Sequence, residues 1–289
     1  MVTDNHERVF VLGATGNVGS AVVEELIKQG ALITVYTRTP KKINESPGTT
    51  IIQGEYTDLK PFNEAIQGHS RLFLIVPEID DMASIKIDIA KTAYEAGVKQ
   101  IVHVSAKSVP WRHYQAALPF QIAEKAIYNL PNRNGAGFVS LRPCPFMTNI
   151  LFTVDTIQKQ NTFMDPAEPD ELQEWISPRD VGQVAARILL DPVEKHGDVA
   201  YELVGDVQSP EKRAQMLTSV LGRKIEYTQV SSETLYEMLL QVGFSHALAF
   251  GAATHQDKNP VVTRGLSILL GRKPESCQDW FNNNKNTFV

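Results

Sequence analysis

The chain has 289 residues, 43 % of them hydrophobic and 21 % charged, the make-up of an ordinary soluble globular protein with room for one large domain or two coupled lobes. A net charge of −5 and a pI near 5.8 argue against a broad phosphate-binding surface, so no direct nucleic-acid partner is expected. Cys144 and Cys277 offer neither metal spacing nor a disulfide framework, the start "MVTDNHER" lacks a signal-peptide core, and no apolar run approaches the roughly 18 residues that span a bilayer; a cytoplasmic protein without membrane contact is expected.

Apolar runs of strand length alternate with helix-period stretches through the first half. "RVFVLG" (8–13) reads as a strand buried on both faces, and "SAVVEELIKQG" (20–30) as a helix with Val22, Val23, Leu26 and Ile27 on one side. The alternation continues through "ALITVYT", "TTIIQG" with "LKPFNEAIQG", and "RLFLIVP" with "ASIKIDIAKTAYEAG". "QIVHVSA" follows, then a helix near 119–130 and "GFVSLRP". Six strands with intervening helices predict an α/β protein, a doubly wound parallel-sheet Rossmann fold. After Pro145 the rhythm changes. "ISPRDVGQVAARILLDP" (176–192) is a helix entered at Ser177 or Pro178, "VAYELVG" and "KIEYTQV" are strands around the helix "PEKRAQMLTSVLG", and from Ser232 mostly helices remain. The expected layout is a cofactor-binding lobe over 1–155, to which 176–205 returns. A smaller, interleaved C-terminal α/β lobe over 156–289 would mainly bind substrate.

"GATGNVG" sets Gly13, Gly16 and Gly19 between the first strand and the first helix. The first glycine permits the tight turn, the second lets backbone approach a pyrophosphate, and the third allows close helix packing, with the helix N-terminus ready for the anion. An NAD site usually places a carboxylate near the end of the second strand. Here "ALITVYTRTPKKIN" (31–44) has no acid but carries Arg38, Lys41 and Lys42. A planar guanidinium suits a 2′-phosphate, so NADP(H) is the expected cofactor.

Five segments, "VLGATGNVGSAVVEELI", "GEYTDLKPFNEAIQG", "AYEAGVKQIVHVSA", "SLRPCPFMTNIL" and "ISPRDVGQVAARILLDP", resemble in order the NmrA-like family of atypical short-chain dehydrogenases/reductases. The C-terminal "LLGRKPESCQDWFNNNKNTF" is similar to the family's closing segment. The resemblance implies an NADP(H)-binding Rossmann lobe with a substrate cleft between it and the smaller lobe. It implies cofactor contacts at Thr15, Gly16, Asn17 and Val18, then at Arg38, Glu55, Val76 and Pro77. Ser105, Ala106 and the segment Pro143 to Phe146 would border the nicotinamide. Relatives commonly have Gly-Asp after the third strand, where this chain has Gly54-Glu55.

Reductases of the wider superfamily carry Tyr-x-x-x-Lys after the fifth strand, the lysine lowering the phenol's pKa so that it can protonate a developing alkoxide. In "SAKSVPWRHYQAALPFQIAEKAIYN", Tyr114 is followed four residues on by Leu118 and Tyr128 by Asn132. The family's helix often has a basic residue four before a glutamate; Glu124 fits the glutamate, but Phe120 takes the other position. Ser105 and Tyr114 are the candidate catalytic groups, and Lys107 could reach the same mouth. Trp111, Tyr114, Phe120, Phe146 and Met147 would wall a flat, largely apolar ligand. His103, alternating within a strand, reads as packed, and no histidine spacing suggests a metal.

Two function classes stay open. One is an NADPH-dependent reductase for acceptors that are electrophilic before any enzymatic proton arrives, such as quinones, imines or iminium ions. Both chemistries occur among relatives of this family, including in fungal alkaloid pathways, and a cyclase of a reactive biosynthetic intermediate is a variant. The other is an NADP(H) sensor that regulates a protein partner. The aromatic and apolar residues of "PWRHY", Phe120 and "PFM" favour the enzyme.

Overall fold

A computed structural model describes residues 7–44, 46–79, 81–107 and 118–289, Leu118 by its backbone alone. The described chain forms two units. The first takes 7–106, 119–142 and 181–202; the second takes Lys107, Leu118, 143–180 and 203–289.

In the first unit, β1 (Arg8–Leu12), α1 (Asn17–Lys28), β2 (Leu32–Thr37), β3 (Thr49–Gln53) and α2 (Lys60–Ala65) come first. β4 (Arg71–Leu74), α3 (Met82–Glu95), β5 (Gln100–Val104), α4 (Leu118–Tyr128) and β6 (Gly137–Pro143) follow. These are the six strands the apolar runs predict. They pair in the order β3-β2-β1-β4-β5-β6, all in parallel. The order reverses between β1 and β4, and the glycine turn leaves β1 at that switch point, where open α/β sheets bind ligands. Val9, Phe10, Val11 and Leu12 are wholly buried, because helices cover both faces of a parallel sheet. One face packs Phe10, Phe62, Leu72 and Ile101 into a continuous core.

The chain then runs through α5 (Val154–Gln160), β7 (Thr162–Asp165), β8 (Gln173–Trp175), α6 (Pro178–Leu190), α7 (Val193–His196) and β9 (Val199–Leu203). The strand read from "VAYELVG" is β9, the seventh strand of the main sheet, beside β6. Residues 143–155, expected with the first lobe, group with the second unit. The reason is pairing: Cys144 N–H donates to the Leu203 carbonyl, Met147 N–H to that of Ile176, and Ile176 N–H to that of Pro145.

The second unit continues with β10 (Asp206–Gln208), α8 (Pro210–Leu221) and β11 (Glu226–Gln229), then the helices α9 (Ser232–Gln241), α10 (His246–Ala253), α11 (Arg264–Leu270) and α12 (Cys277–Asn283). Short ladders β7–β11 and β8–β10 frame it, and the β7, β8 and β10 strands have no apolar run long enough to be read from sequence. Its core holds Met147, Phe163, Leu217, Trp280 and Phe288. Arg213 is buried there with its guanidinium 4.7 Å from the Phe163 ring and 4.1 Å from the Trp175 ring.

Candidate cofactor and active site

The turn after β1 is shaped for backbone recognition. Gly13 has φ +67°, and a Cβ there would stand 2.4 Å from Ile75 Cγ2. Gly16 N–H donates to the Gly13 carbonyl at 3.0 Å, closing the turn. At Gly19 a Cβ would come within 2.1 Å of the Gly13 carbonyl oxygen, so only glycine lets α1 rise this close to β1. A Cβ at Gly16 would meet only the Gly13 carbonyl oxygen, at 3.4 Å, and α1 begins there with no side-chain cap and no acid in its first turn. Unopposed N–H groups and a positive helix end suit a pyrophosphate. Thr15, Gly16 and Asn17 are exposed, whereas Val18 turns its side chain into the core, leaving its backbone for any ligand.

At the second strand, Arg38 is exposed immediately after β2, and Lys42 is exposed on the 3₁₀ turn Pro40–Lys42. Tyr36 anchors the neighbouring turn: its hydroxyl donates to the Glu55 carbonyl at 3.1 Å and the Asp58 carbonyl at 3.2 Å. Its ring fills the space where a Cβ on Gly54 would sit, 2.2 Å from the Tyr36 hydroxyl oxygen. The Glu55 side chain points to solvent. Tyr56 links the two parts of the site. Its hydroxyl donates to the Ile75 carbonyl at 3.0 Å, lies 3.7 Å from the Cβ position of Gly13, and faces the Arg38 charge. Burial pushes the Tyr56 phenol up, so it stays a neutral donor. No sequence pattern marks Tyr56; its place depends on β3 and β4 flanking the glycine turn. Val76 is buried and Pro77 exposed after β4.

The end of β5 is built from side chains. Ser105 is 4 % exposed; its N–H donates to the Leu141 carbonyl at 2.8 Å, and its hydroxyl hydrogen bonds Glu124. Glu124 also receives the Ser140 hydroxyl at 2.7 Å and the Arg142 Nε at 3.1 Å. Burial raises the Glu124 carboxyl, but these hydrogen bonds outweigh it and hold the group below the usual range. Glu124 is therefore a fixed carboxylate that orients Ser105. Beside it lies a residue the sequence reading passed over. Lys86, on α3, is 0 % exposed, donates from Nζ to the Val104 carbonyl at 3.0 Å, and stands 4.4 Å from the centre of the Phe120 ring.

Phe120, a candidate for the ligand wall, is half-buried, with its ring against the core of the first unit and beneath the Lys86 ammonium. His103 is buried and stacks on Phe138, as read from its alternation. Ala106 is half-buried at the start of the turn. Trp111 and Tyr114 lie outside the described residues. In the second unit, Lys107 donates its N–H to the Pro143 carbonyl at 2.7 Å and pairs its ammonium with Glu174, a carboxylate only 1 % exposed. That pairing neutralises the buried Glu174 charge. Met147 belongs to the second unit's core, while Phe146 is half-buried and Pro143 buried. Among the described residues no group of side chains could hold a metal ion, and no helix is long and apolar enough to cross a membrane.

Comparison with known proteins meets this geometry. The chain is 24 % identical over 246 residues to an NAD(P)H azoreductase of Xenophilus azovorans, covering 83 % of each chain. It is 26 % identical over 250 residues to agroclavine dehydrogenase of Claviceps fusiformis, covering 82 % of each. The structure of an NADPH-dependent quinone oxidoreductase from Escherichia coli complexed with NADPH superposes with a TM-score of 0.80 at 24 % identity, over 96 % of this chain and all 100 % of that one. That likeness shows the Rossmann-type fold. The model of the NmrA-like family matches residues 5–260, spanning the glycine turn, all six central strands and α6, and the chain belongs to that family.

Proposed function

We propose that this chain is an NADPH-dependent reductase that transfers hydride to an electrophilic small molecule of the quinone or imine class without a Tyr-x-x-x-Lys pair. The observation that carries the reading is the pairing of an open glycine turn at the sheet's switch point with an acid-free second strand end bearing Arg38. The names of two relatives, an NAD(P)H azoreductase and a dehydrogenase, also describe oxidoreductase chemistry.

In this reading the backbone N–H groups of Asn17 and Val18 hold the pyrophosphate, which the missing side chain of Gly16 lets come close, and Arg38, with Lys42 near by in sequence, holds the 2′-phosphate. The chemistry supplied by bound NADPH is hydride donation. Ser105, oriented by Glu124 at the C-terminal end of β5, places a hydroxyl where ligands bind in such sheets. Reducing a plain ketone builds charge on oxygen and requires a strong proton or oxyanion donor. A quinone spreads the added charge over its ring and an imine is readily protonated by water, so positioning supplies most of the rate.

The test is NADPH oxidation with matched ketone, quinone and cyclic-imine panels. Quinone and imine should be reduced and the ketone left untouched. Fast ketone reduction would contradict the proposal. Tight NADPH binding with no oxidation by any acceptor would transfer the reading to a cofactor sensor.

A further inference from the structure

Lys86 brings a buried cation from α3 to the end of β5. Its ammonium lies over the ring of Phe120, four positions before Glu124 on α4. Its two close partners are a carbonyl and an aromatic face, neither of them a counter-ion. The charged and titratable groups facing it come from every neighbouring element: Glu78 after β4, His103 on β5, and Glu124 on α4. Arg142 and Ser140 on β6 engage Glu124 and draw on its charge. Burial and the Lys86 charge together keep His103 neutral. Burial likewise lowers Lys86 itself, to about 7, against the pull of Glu78 and Glu124.

The geometry points to Lys86 as a specificity-determining residue, a buried cation at the end of β5 that favours neutral acceptors gaining negative charge, such as quinones and azo compounds, over acceptors already cationic, such as iminium ions. This rests on the reductase reading. In each case a C–H bond of the donor breaks, the acceptor gains two electrons and one hydrogen, and any proton needed comes from water. A neutral quinone becomes an anion before that proton arrives, whereas an iminium ion becomes a neutral amine. A charge shielded from solvent acts on that difference without large screening. The same hydride donor serves both reactions, so its own change of charge cancels from the comparison.

The experiment measures kcat/KM for a neutral naphthoquinone and a permanently charged N-methyl cyclic iminium, with NADPH, in wild type, Lys86→Met and Lys86→Arg, between about pH 6 and about pH 9. Lys86→Met should lower the quinone-to-iminium ratio by about tenfold or more, while Lys86→Arg, which keeps the charge, retains it. In wild type the ratio should fall as the pH rises through about 7. Independently of turnover, NMR of labelled lysine side chains in the cofactor-free protein should show Lys86 titrating far below its fellows. An unchanged ratio in Lys86→Met, or a Lys86 that titrates like a surface lysine, overturns the inference alone. A wild type that reduces neither acceptor overturns the reductase reading and this inference with it.

Discussion

In the proposed cofactor site, what Gly13 to Gly19 offer is backbone, within one turn and the start of one helix. At the end of β5 it is side chains that gather, those of Lys86, Ser105, Glu124 and Arg142, drawn from α3, the turn after β5, α4 and β6. Both regions lie in the first unit. The difference shows in what each tolerates. The glycine turn fails by steric clash, because every missing Cβ is a space already filled or needed. The β5 end depends instead on side chains from four separate elements, Lys86 among them arriving from α3. A motif search rewards the first kind of site and overlooks the second.

The comparison is best attacked first at Gly19. An alanine there would place a Cβ 2.1 Å from the Gly13 carbonyl, which backbone cannot absorb without moving α1 away from β1. Gly19→Ala should lose NADPH affinity and at least about 3 kcal/mol of stability, measured by cofactor titration and denaturant unfolding. A variant that binds and folds like wild type would show that the turn is not sterically determined.

At the other end, removing the buried Lys86 side chain should stabilise the protein. Lys86 has a folded pKa of about 7, below the roughly 10.4 of an unfolded lysine. The unfolded chain therefore holds the proton more tightly, and the penalty is full below about pH 7, fades as the pH rises, and vanishes near about pH 10. Lys86→Met should gain about 2–4 kcal/mol at neutral or mildly acidic pH, and the gain should close as the pH approaches about 10. Unfolding free energies measured across that range check both the size and the sign. A gain independent of pH would mean that packing, not charge, is responsible.

The smallest expected effect concerns Arg38, exposed after β2. Arg38→Ala should weaken NADPH binding by about 1.5–3 kcal/mol, tenfold or more, and leave NADH binding nearly unchanged. Calorimetric titration with both cofactors decides it. Equal losses would remove Arg38 from the 2′-phosphate and leave the turn as the whole of the recognition.

The fold and the glycine turn were legible because their signals are local. A fully buried parallel strand needs a continuous apolar run, as in "RVFVL", and a backbone cradle needs glycines at fixed spacing, so both are written in consecutive residues. Lys86 was not legible: within "ASIKIDIAKTAYEAG" it reads as a polar residue on an amphipathic helix, and only the packing of α3 against β5 and α4 buries it. Met147 looked like part of a ligand wall for the same reason, since an apolar side chain near a strand end can face a ligand or a core, and sequence spacing is identical for both. Lys107 similarly found a buried partner, Glu174, far along the chain. By itself the sequence determined the order of strands and helices, the glycine turn and the basic second strand end, because periodicity, turn chemistry and the absence of an acid act within a few residues. Only the tertiary structure decided which charges lose their water and which apolar groups are already taken, because burial depends on neighbours that the chain brings together from distant positions.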